Sequence, residues 1–89
     1  LGADVAIVGT ERKDEIRISA RATKEFYERT RVHLGKVMNK LGKTIGGSGG
    51  GHTLAAGFNA TSGDLEDAFQ TLQTLLRNVI TREKRENDK

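Results

Sequence analysis

A glycine-rich stretch that ends in histidine, residues 46–52, is the part of the sequence best suited to chemistry. It reads Gly-Gly-Ser-Gly-Gly-Gly-His and holds five of the 11 glycines in the chain. Glycine lets backbone amides approach a ligand closely, and successive amides lining a concavity suit a phosphate group. Gly/Ser stretches are more often flexible linkers. We favour the anion site, because the stretch lies between an amphipathic segment and an apolar one and ends in His52.

His52 itself has two interpretations. It either bonds to a backbone carbonyl where a strand begins, or it donates to a phosphate or a base. The adjacent glycines and the arginines of a nearby strand favour the second interpretation. Two other phosphate-binding motifs do not match this stretch. It lacks the Lys-Ser/Thr pair that follows the glycines of a P-loop, and its glycines do not stand at the spacing of the dinucleotide-binding motif G-x-G-x-x-G. Two histidines 19 positions apart, without cysteine, form no recognised zinc set. A triad built on Ser48 and His52 has no third member, so we predict no catalytic residue and no metal site.

Composition narrows the class of protein. The chain has 89 residues, 35% of them hydrophobic, with no cysteine and a formal net charge of +3. This length predicts one small domain over residues 1–89, and the lack of cysteine fits the reducing cytoplasm. No apolar run approaches the ~20 residues that cross a bilayer, so we expect no membrane partner. The chain begins inside an apparent strand without methionine, so we expect a fragment of a longer protein.

The first third of the sequence predicts two strands. Residues 4–9 are apolar and rich in β-branched side chains, which predicts a buried strand. Polar residues 10–14 predict a hairpin connection. Residues 15–21 then alternate in polarity, so this strand is half buried and its polar face can line a groove. The apolar face holds Ile16, Ile18 and Ala20, and the polar face holds Arg17, Ser19 and Arg21. Taken alone, Arg17 and Arg21 are typical of a solvated surface.

The middle of the chain predicts a connection and then a helix. Residues 22–33 are compatible with a loop or a short helix. Phe26 and Tyr27 either offer a stacking surface for a base or anchor this segment to the core, which is the commoner role. His33 is predicted to be a structural residue at the start of the next helix. Apolar residues then recur three and four apart, which predicts an amphipathic helix with one buried stripe. The stripe consists of Leu34, Val37, Met38, Leu41 and Ile45, and either Gly46 or Gly47 ends the helix.

The last third predicts a strand and a second long helix. Residues 54–60 predict a strand that ends near Ala60 and is entered through one helical turn. Residues 62–64 are a turn and N-cap signal, followed by an apolar stripe from residue 65 to residue 79. Residues 81–89 are predicted to be a charged tail. The expected fold is therefore α/β (α+β): a small mixed β-sheet with helices packed on it, in the order β–β–α–Gly loop–β–α.

Two motifs resemble the signature of the DHH-associated domain. Residues 49–52, Gly-Gly-Gly-His, and residues 54–58, Leu-Ala-Ala-Gly-Phe, resemble its G-G-G-H…A-A-G-F pattern. Residues 18–21, Ile-Ser-Ala-Arg, resemble a strand of that family that ends in a substrate-contacting arginine. In DHH-type phosphoesterases, the DHH-associated domain is the C-terminal module that holds the substrate. The sequence is most similar to the RecJ-like single-strand exonucleases of the archaeal type.

The resemblance implies a site and a partner domain. The implied substrate-binding residues are Ser19, Arg21, Gly49, Gly50, Gly51 and His52. Their implied ligand is single-stranded DNA or RNA, or a short oligonucleotide. The implied catalytic centre, with two Mn²⁺ (or Mg²⁺) ions, lies in a separate N-terminal domain, because this chain has no D-H-H motif. The chain is then the cofactor-free, substrate-binding part of a metal-dependent phosphodiesterase or exonuclease, and is not itself a hydrolase.

An alternative comes from the same resemblance. The domain is also similar to the C-terminal domain of alanyl-tRNA synthetases, a non-catalytic module for RNA binding or dimerisation. In that role the apolar stripe of the last helix would pair two chains instead of covering a sheet. The sequence leaves the oligomeric state open.

Overall fold

The computed structural model describes residues 4–87, and the side chains of residues 4–81. Within this range the chain forms four strands and three helices. They are β1 (Val5–Arg12), β2 (Glu15–Ala22), α1 (Lys24–Thr30), α2 (Leu34–Ile45), β3 (Ser48–Gly51), β4 (Ala55–Ala60) and α3 (Leu65–Asn87). The α+β class is confirmed, with helices packed on a small sheet. The sheet has the order β1-β2-β4-β3, and each pair of neighbours is antiparallel where a mixed sheet was expected.

Strands β1 and β2 form the predicted hairpin. Their register runs from Val5 opposite Ala22 to Arg12 opposite Glu15, which leaves a two-residue turn. The prediction that the first strand is buried on both faces is wrong. Strand β1 is at the edge of the sheet, and its Val8 is 62% exposed. An apolar, β-branched run suits an edge strand as well as a central one, since periodicity does not report which neighbours a strand has.

Strand β2 alternates as its sequence predicts. Its apolar face is buried against the helices, whereas its polar face is exposed. The buried residues are Ile16, Ile18 and Ala20, and the exposed ones are Arg17, Ser19 and Arg21. This strand pairs with β1 on one side and β4 on the other, so it fixes the register of the polar face across the sheet.

The connection after β2 contains a short helix, α1. The Thr23 hydroxyl accepts a hydrogen bond from the backbone N–H of Phe26 at 3.0 Å and so caps the N-terminus. The helix ends at Arg31, which has a left-handed backbone with φ of 60°. Phe26 is buried in the core, as an anchor residue should be, while Tyr27 is half-buried.

Helix α2 has the predicted bounds. His33 has the predicted structural role: its Nδ1 accepts a hydrogen bond from the backbone N–H of Lys36 at 3.2 Å. Gly46 ends the helix with φ of 83° and donates its N–H to the carbonyl of Gly42. The apolar stripe is buried as predicted, except that Ile45 in the last turn is 37% exposed.

The glycine stretch forms a strand, β3, where a loop was predicted. Helix α2 packs closely on it: a Cβ atom on Gly35 would lie 2.7 Å from the carbonyl carbon of Gly51 and closer still to its oxygen. The predicted helical turn at Leu54 is absent, and Thr53 and Leu54 form a bend that leads directly into β4. Close approach between α2 and β3 therefore explains part of the glycine content without any ligand.

Helix α3 begins at the predicted turn. The Asp64 carboxylate accepts the backbone N–H of Glu66 at 2.9 Å, and Ala68 and Leu72 are buried in the core. The helix continues to residue 87, so most of the predicted charged tail is helical, while residues 88 and 89 lie outside the described part. Across residues 4–87, no helix combines the length and the apolarity that a bilayer span requires.

Candidate nucleic-acid interface

One face of the sheet carries the polar side chains of β2 and has no described helix over it. The core lies on the other face, where α1, α2 and α3 pack. We call the uncovered side the open face. Cross-strand pairing arranges it in rows, because residues opposite each other in antiparallel strands share a face. The rows are Thr10–Arg17–Asn59–Ser48, Val8–Ser19–Gly57–Gly50, and Ala6–Arg21–Ala55.

The centre of the open face is a floor without side chains. Gly50 and Gly57 face each other across β3 and β4. A Cβ atom on Gly50 would meet no atom within 4 Å, and one on Gly57 would make only an ordinary contact of 3.5 Å. The floor forms a concavity of about 350 Å³ whose polar walls come from Arg17, Ser19 and Asn59. Neither glycine is needed there for packing, so the low floor is available to a ligand.

Arg21 and His52 lie at one end of the open face, on either side of Ala55. Arg21 is opposite Ala55 in the register of β2 and β4. The backbone N–H of His52 donates to the carbonyl of Ala55 at 2.7 Å, and the carbonyl of His52 accepts the N–H of Gly35 at 3.0 Å. The histidine is thus held between the sheet and helix α2. Both side chains are exposed.

The charge of the open face is mainly positive. Among the described strand residues it holds three arginines, Arg12, Arg17 and Arg21, and one acid, Glu15. Arg17 pairs with Glu15 at 2.8 Å. Arg21 makes no ion pair with any side chain in residues 4–81. The guanidinium groups of Arg21 and Arg12 are therefore available to an anionic ligand within this part of the chain.

Gly49 and Gly51 are placed differently from the other predicted site residues. Gly49 packs under helix α2, and its carbonyl accepts a hydrogen bond from the side chain of Asn39 at 3.4 Å. The carbonyl of Gly51 lies against Gly35. Consecutive amides of a strand point in opposite directions, so the three glycine amides do not converge on one ligand. The structure brings Ser19, Arg21 and Gly50 to the open face, holds the backbone of His52 at the end of that face, and gives Gly49 and Gly51 packing roles.

Sequence reasoning missed Ser48, Gly57 and Asn59 as residues of this face. Gly57 and Asn59 join it through the register of β2 and β4, and Ser48 through that of β3 and β4; neither register was predicted. Residues 4–81 contain no group of three His, Asp or Glu side chains that could hold a metal ion.

A family model called the DHHA1 domain matches residues 1–78. The chain belongs to the DHHA1 family. This result confirms the predicted DHH-associated domain. Over 62 residues the domain is 55% identical to the uncharacterized protein MJ0988 of Methanocaldococcus jannaschii, and this alignment spans 67% of the chain and 18% of that protein.

Two further similar proteins are an alanine–tRNA ligase and a domain of an alanyl-tRNA synthetase. The alanine–tRNA ligase of Bacillus subtilis is 30% identical over 81 residues, which is 90% of this chain and 9% of the ligase. The C-Ala domain of alanyl-tRNA synthetase from Aquifex aeolicus has a similar structure, with a TM-score of 0.67 and 25% identity; the match covers 81% of this chain and 64% of that one. This DHHA1 domain thus spans a small part of the full-length relatives. The comparisons favour the non-catalytic nucleic-acid-binding module over the substrate-binding domain of a RecJ-like exonuclease.

Proposed function

We propose that this DHHA1 domain is a non-catalytic RNA-binding module whose ligand is tRNA. The observation that carries the proposal is the open face. It places Ser19 and Arg21 beside a glycine floor, on a side of the sheet that no described helix covers, with the exposed residue His52 at the end of that face. A broad, shallow and positively charged face of this kind suits a polyanionic chain better than an enclosed small molecule.

The side chains of the open face match the chemistry of an RNA backbone. The Arg21 guanidinium can form two parallel hydrogen bonds to a phosphate. The Ser19 hydroxyl and the His52 imidazole add donors for phosphate oxygens or ribose hydroxyls. Above Gly50 and Gly57 a sugar-phosphate chain can approach the sheet closely, since no side chain rises from the floor. Contacts of this type position the nucleic acid and do not read its sequence.

The choice of tRNA rests on the relatives. Alanine–tRNA ligases, which take their name from tRNA, share this domain over about 90% of the chain. The domain is 9% of the ligase, so we assign it a binding role and no part of the ligation chemistry. The exonuclease interpretation has no comparable support from named relatives, and we do not retain it. Pairing of chains through α3 remains a prediction.

A titration of fluorescently labelled tRNA with the 89-residue chain, followed by anisotropy at two salt concentrations, tests the proposal. The informative variants are R21Q and H52Q. The control is R77Q, which removes one positive charge from an exposed position on α3, in the helix layer. We expect R21Q to raise the Kd about fivefold to tenfold, which is roughly 1 kcal/mol for an exposed charged contact. The slope of log K against log salt should become shallower by the amount that corresponds to the loss of about one phosphate contact.

Three results would contradict the proposal. Undetectable binding of tRNA at low salt would contradict the proposed function itself. An equal loss with R77Q and R21Q would mean that only the net charge matters and that the open face is not the site. Equal affinity for a single-stranded DNA of the same length would remove the assignment to RNA.

A further inference from the structure

A second basic surface lies in the helix layer, between α1, α2 and α3. It is a groove of about 410 Å³. We define the helix groove by three cationic residues, Arg31, Lys36 and Lys40, by the ring of Tyr27, and by an apolar floor. The floor consists of Val37, Leu75 and Val79. Because the helices cover one face of the sheet and the open face is the other, the two surfaces lie on opposite layers of the domain.

The cations of the helix groove lack counter-charges in the described part of the molecule. None of the described side chains that line the groove is acidic. Among the side chains of residues 4–81, Arg31, Lys36 and Lys40 make no ion pair. Lys36 and Lys40 are also four residues apart on one helix, where like charges repel and destabilise the helix. A bound anion would relieve this repulsion.

Arg31 places its charge at the groove through an unfavourable backbone conformation. Its φ is 60°, in the left-handed region where a helix usually ends on glycine or asparagine. The backbone N–H donates to the carbonyl of Tyr27 at 2.6 Å. The guanidinium carbon lies 5.5 Å from the centroid of the Tyr27 ring, within the range of a cation–π contact. A residue with a strained backbone that places a cation beside a half-buried ring points to a binding role.

We propose that the helix groove binds a nucleotide unit of single-stranded RNA. The base lies against the Tyr27 ring and the apolar floor, and the adjacent phosphates pair with Lys36 and Lys40. Base stacking on an aromatic ring combined with basic side chains along the backbone is a common way of holding single strands. An acidic peptide would satisfy the lysines, but it would leave the ring and the floor uncovered. The groove extends the proposed function to a second RNA contact, and it does not depend on the open face.

The amino-acid composition provides a direct assay. The chain contains one tyrosine, Tyr27, and no tryptophan. Its intrinsic fluorescence therefore reports on the helix groove alone. The probe is hexa-adenylate RNA, titrated into the 89-residue chain, with N-acetyltyrosinamide as the correction for light absorbed by the nucleotide. We expect saturable quenching of Tyr27 that weakens as salt is added.

The variant K36Q/K40Q tests the phosphate contacts. Lys43 is exposed on the same helix and does not line the groove, so K43Q is the control for the loss of a lysine outside the groove. We expect the double variant to raise the apparent Kd for quenching at least about tenfold and to flatten the salt slope by about 1.4, at roughly 0.7 per phosphate on a single strand. K43Q should stay within about twofold of the wild type. Circular dichroism checks that both variants fold.

The outcomes separate this proposal from the one for the open face. Absence of quenching, or quenching that K36Q/K40Q leaves unchanged, overturns the groove assignment. Equal quenching by a hexa-aspartate peptide overturns the choice of a nucleotide. The variant R21Q should leave hexa-adenylate quenching unchanged while it weakens tRNA binding. Quenching in a chain that binds no tRNA would support the groove and contradict the open face.

Discussion

Gly49 lies so close beneath helix α2 that a Cβ atom on it would come within 2.6 Å of the carbonyl carbon of Met38 and nearer still to its oxygen. The next residue, Gly50, has no atom within 4 Å of the equivalent position. Two neighbouring glycines of one strand therefore have different roles. Gly49 allows the helix to pack on the sheet, and Gly50 keeps the floor of the open face low.

The substitution G49A should destabilise the domain. The added methyl group meets the backbone of Met38, which cannot rotate away as a side chain can. Overpacking of this kind costs about 1–3 kcal/mol, so we expect a loss of that size in the free energy of unfolding. Urea denaturation followed by far-UV circular dichroism measures it. An unchanged midpoint would show that α2 and β3 do not pack as closely as described.

The substitution G50A is the matched test of function. Gly50 is not among the described glycines with positive φ, and its Cβ position is open. Alanine should therefore change the free energy of unfolding by less than about 1 kcal/mol, in the stabilising direction. The methyl group rises from the floor of the open face, so we expect the Kd for tRNA to increase severalfold. Unchanged tRNA binding in stable G50A would argue that RNA does not approach the floor.

Side-chain periodicity explains what the sequence predicted well. Strand β2 was recognisable because Ile16, Ile18 and Ala20 alternate with polar residues, and α2 because apolar residues recur three and four apart. The same alternation correctly placed Ser19 and Arg21 on one polar face. His33 was predicted to be a structural residue at the start of that helix, where its Nδ1 accepts the backbone N–H of Lys36.

Strand β3 was not predictable in the same way, because glycine has no side chain and so leaves no polarity pattern. Its strand conformation depends on long-range contacts: pairing with β4, and the close approach of Gly35 to Gly51. The open face then stayed incomplete, since Ser48 joins it only through that pairing. The groove between the helices was missed because its lining comes from three elements whose mutual packing has no local signal.

The substitution E15Q should strengthen RNA binding. Glu15 is the one acid among the described strand residues of the open face, and it holds the Arg17 guanidinium at 2.8 Å. Neutralising it removes a repulsive charge and frees Arg17 for a phosphate. We expect the Kd for tRNA to fall about threefold to fivefold. The slope of log K against log salt should steepen by the amount that corresponds to about one additional phosphate contact.

The control for E15Q is E11Q. Glu11 is an exposed acid of the same hairpin, but it belongs to the alternate set of β1 residues that face the other side of the sheet. Removing its charge changes the net charge of the domain equally. A similar gain in affinity for both variants would mean that tRNA responds to net charge and not to the open face.

The substitution T23A should remove the cap of helix α1. The Thr23 hydroxyl accepts the N–H of Phe26, and α1 carries the Phe26 ring into the core. Loss of an N-cap costs about 1 kcal/mol, so we expect the free energy of unfolding to fall by that amount. T23S keeps the hydroxyl and should remain close to the wild type. Equal losses in T23A and T23S would assign the effect to the threonine methyl group instead.

Arg31 allows stability and binding to be separated. The left-handed conformation at φ of 60° disfavours a side chain with a Cβ atom by about 1 kcal/mol relative to glycine. The variants R31G and R31A both lose the guanidinium that lies over Tyr27, and only R31G also loses the backbone strain. We therefore expect R31G to be more stable to urea than R31A by about 1 kcal/mol, while both bind hexa-adenylate equally weakly in the Tyr27 fluorescence assay. Retained binding in either variant would exclude Arg31 from the helix groove site, and equal stability of the two would contradict the left-handed backbone at this position.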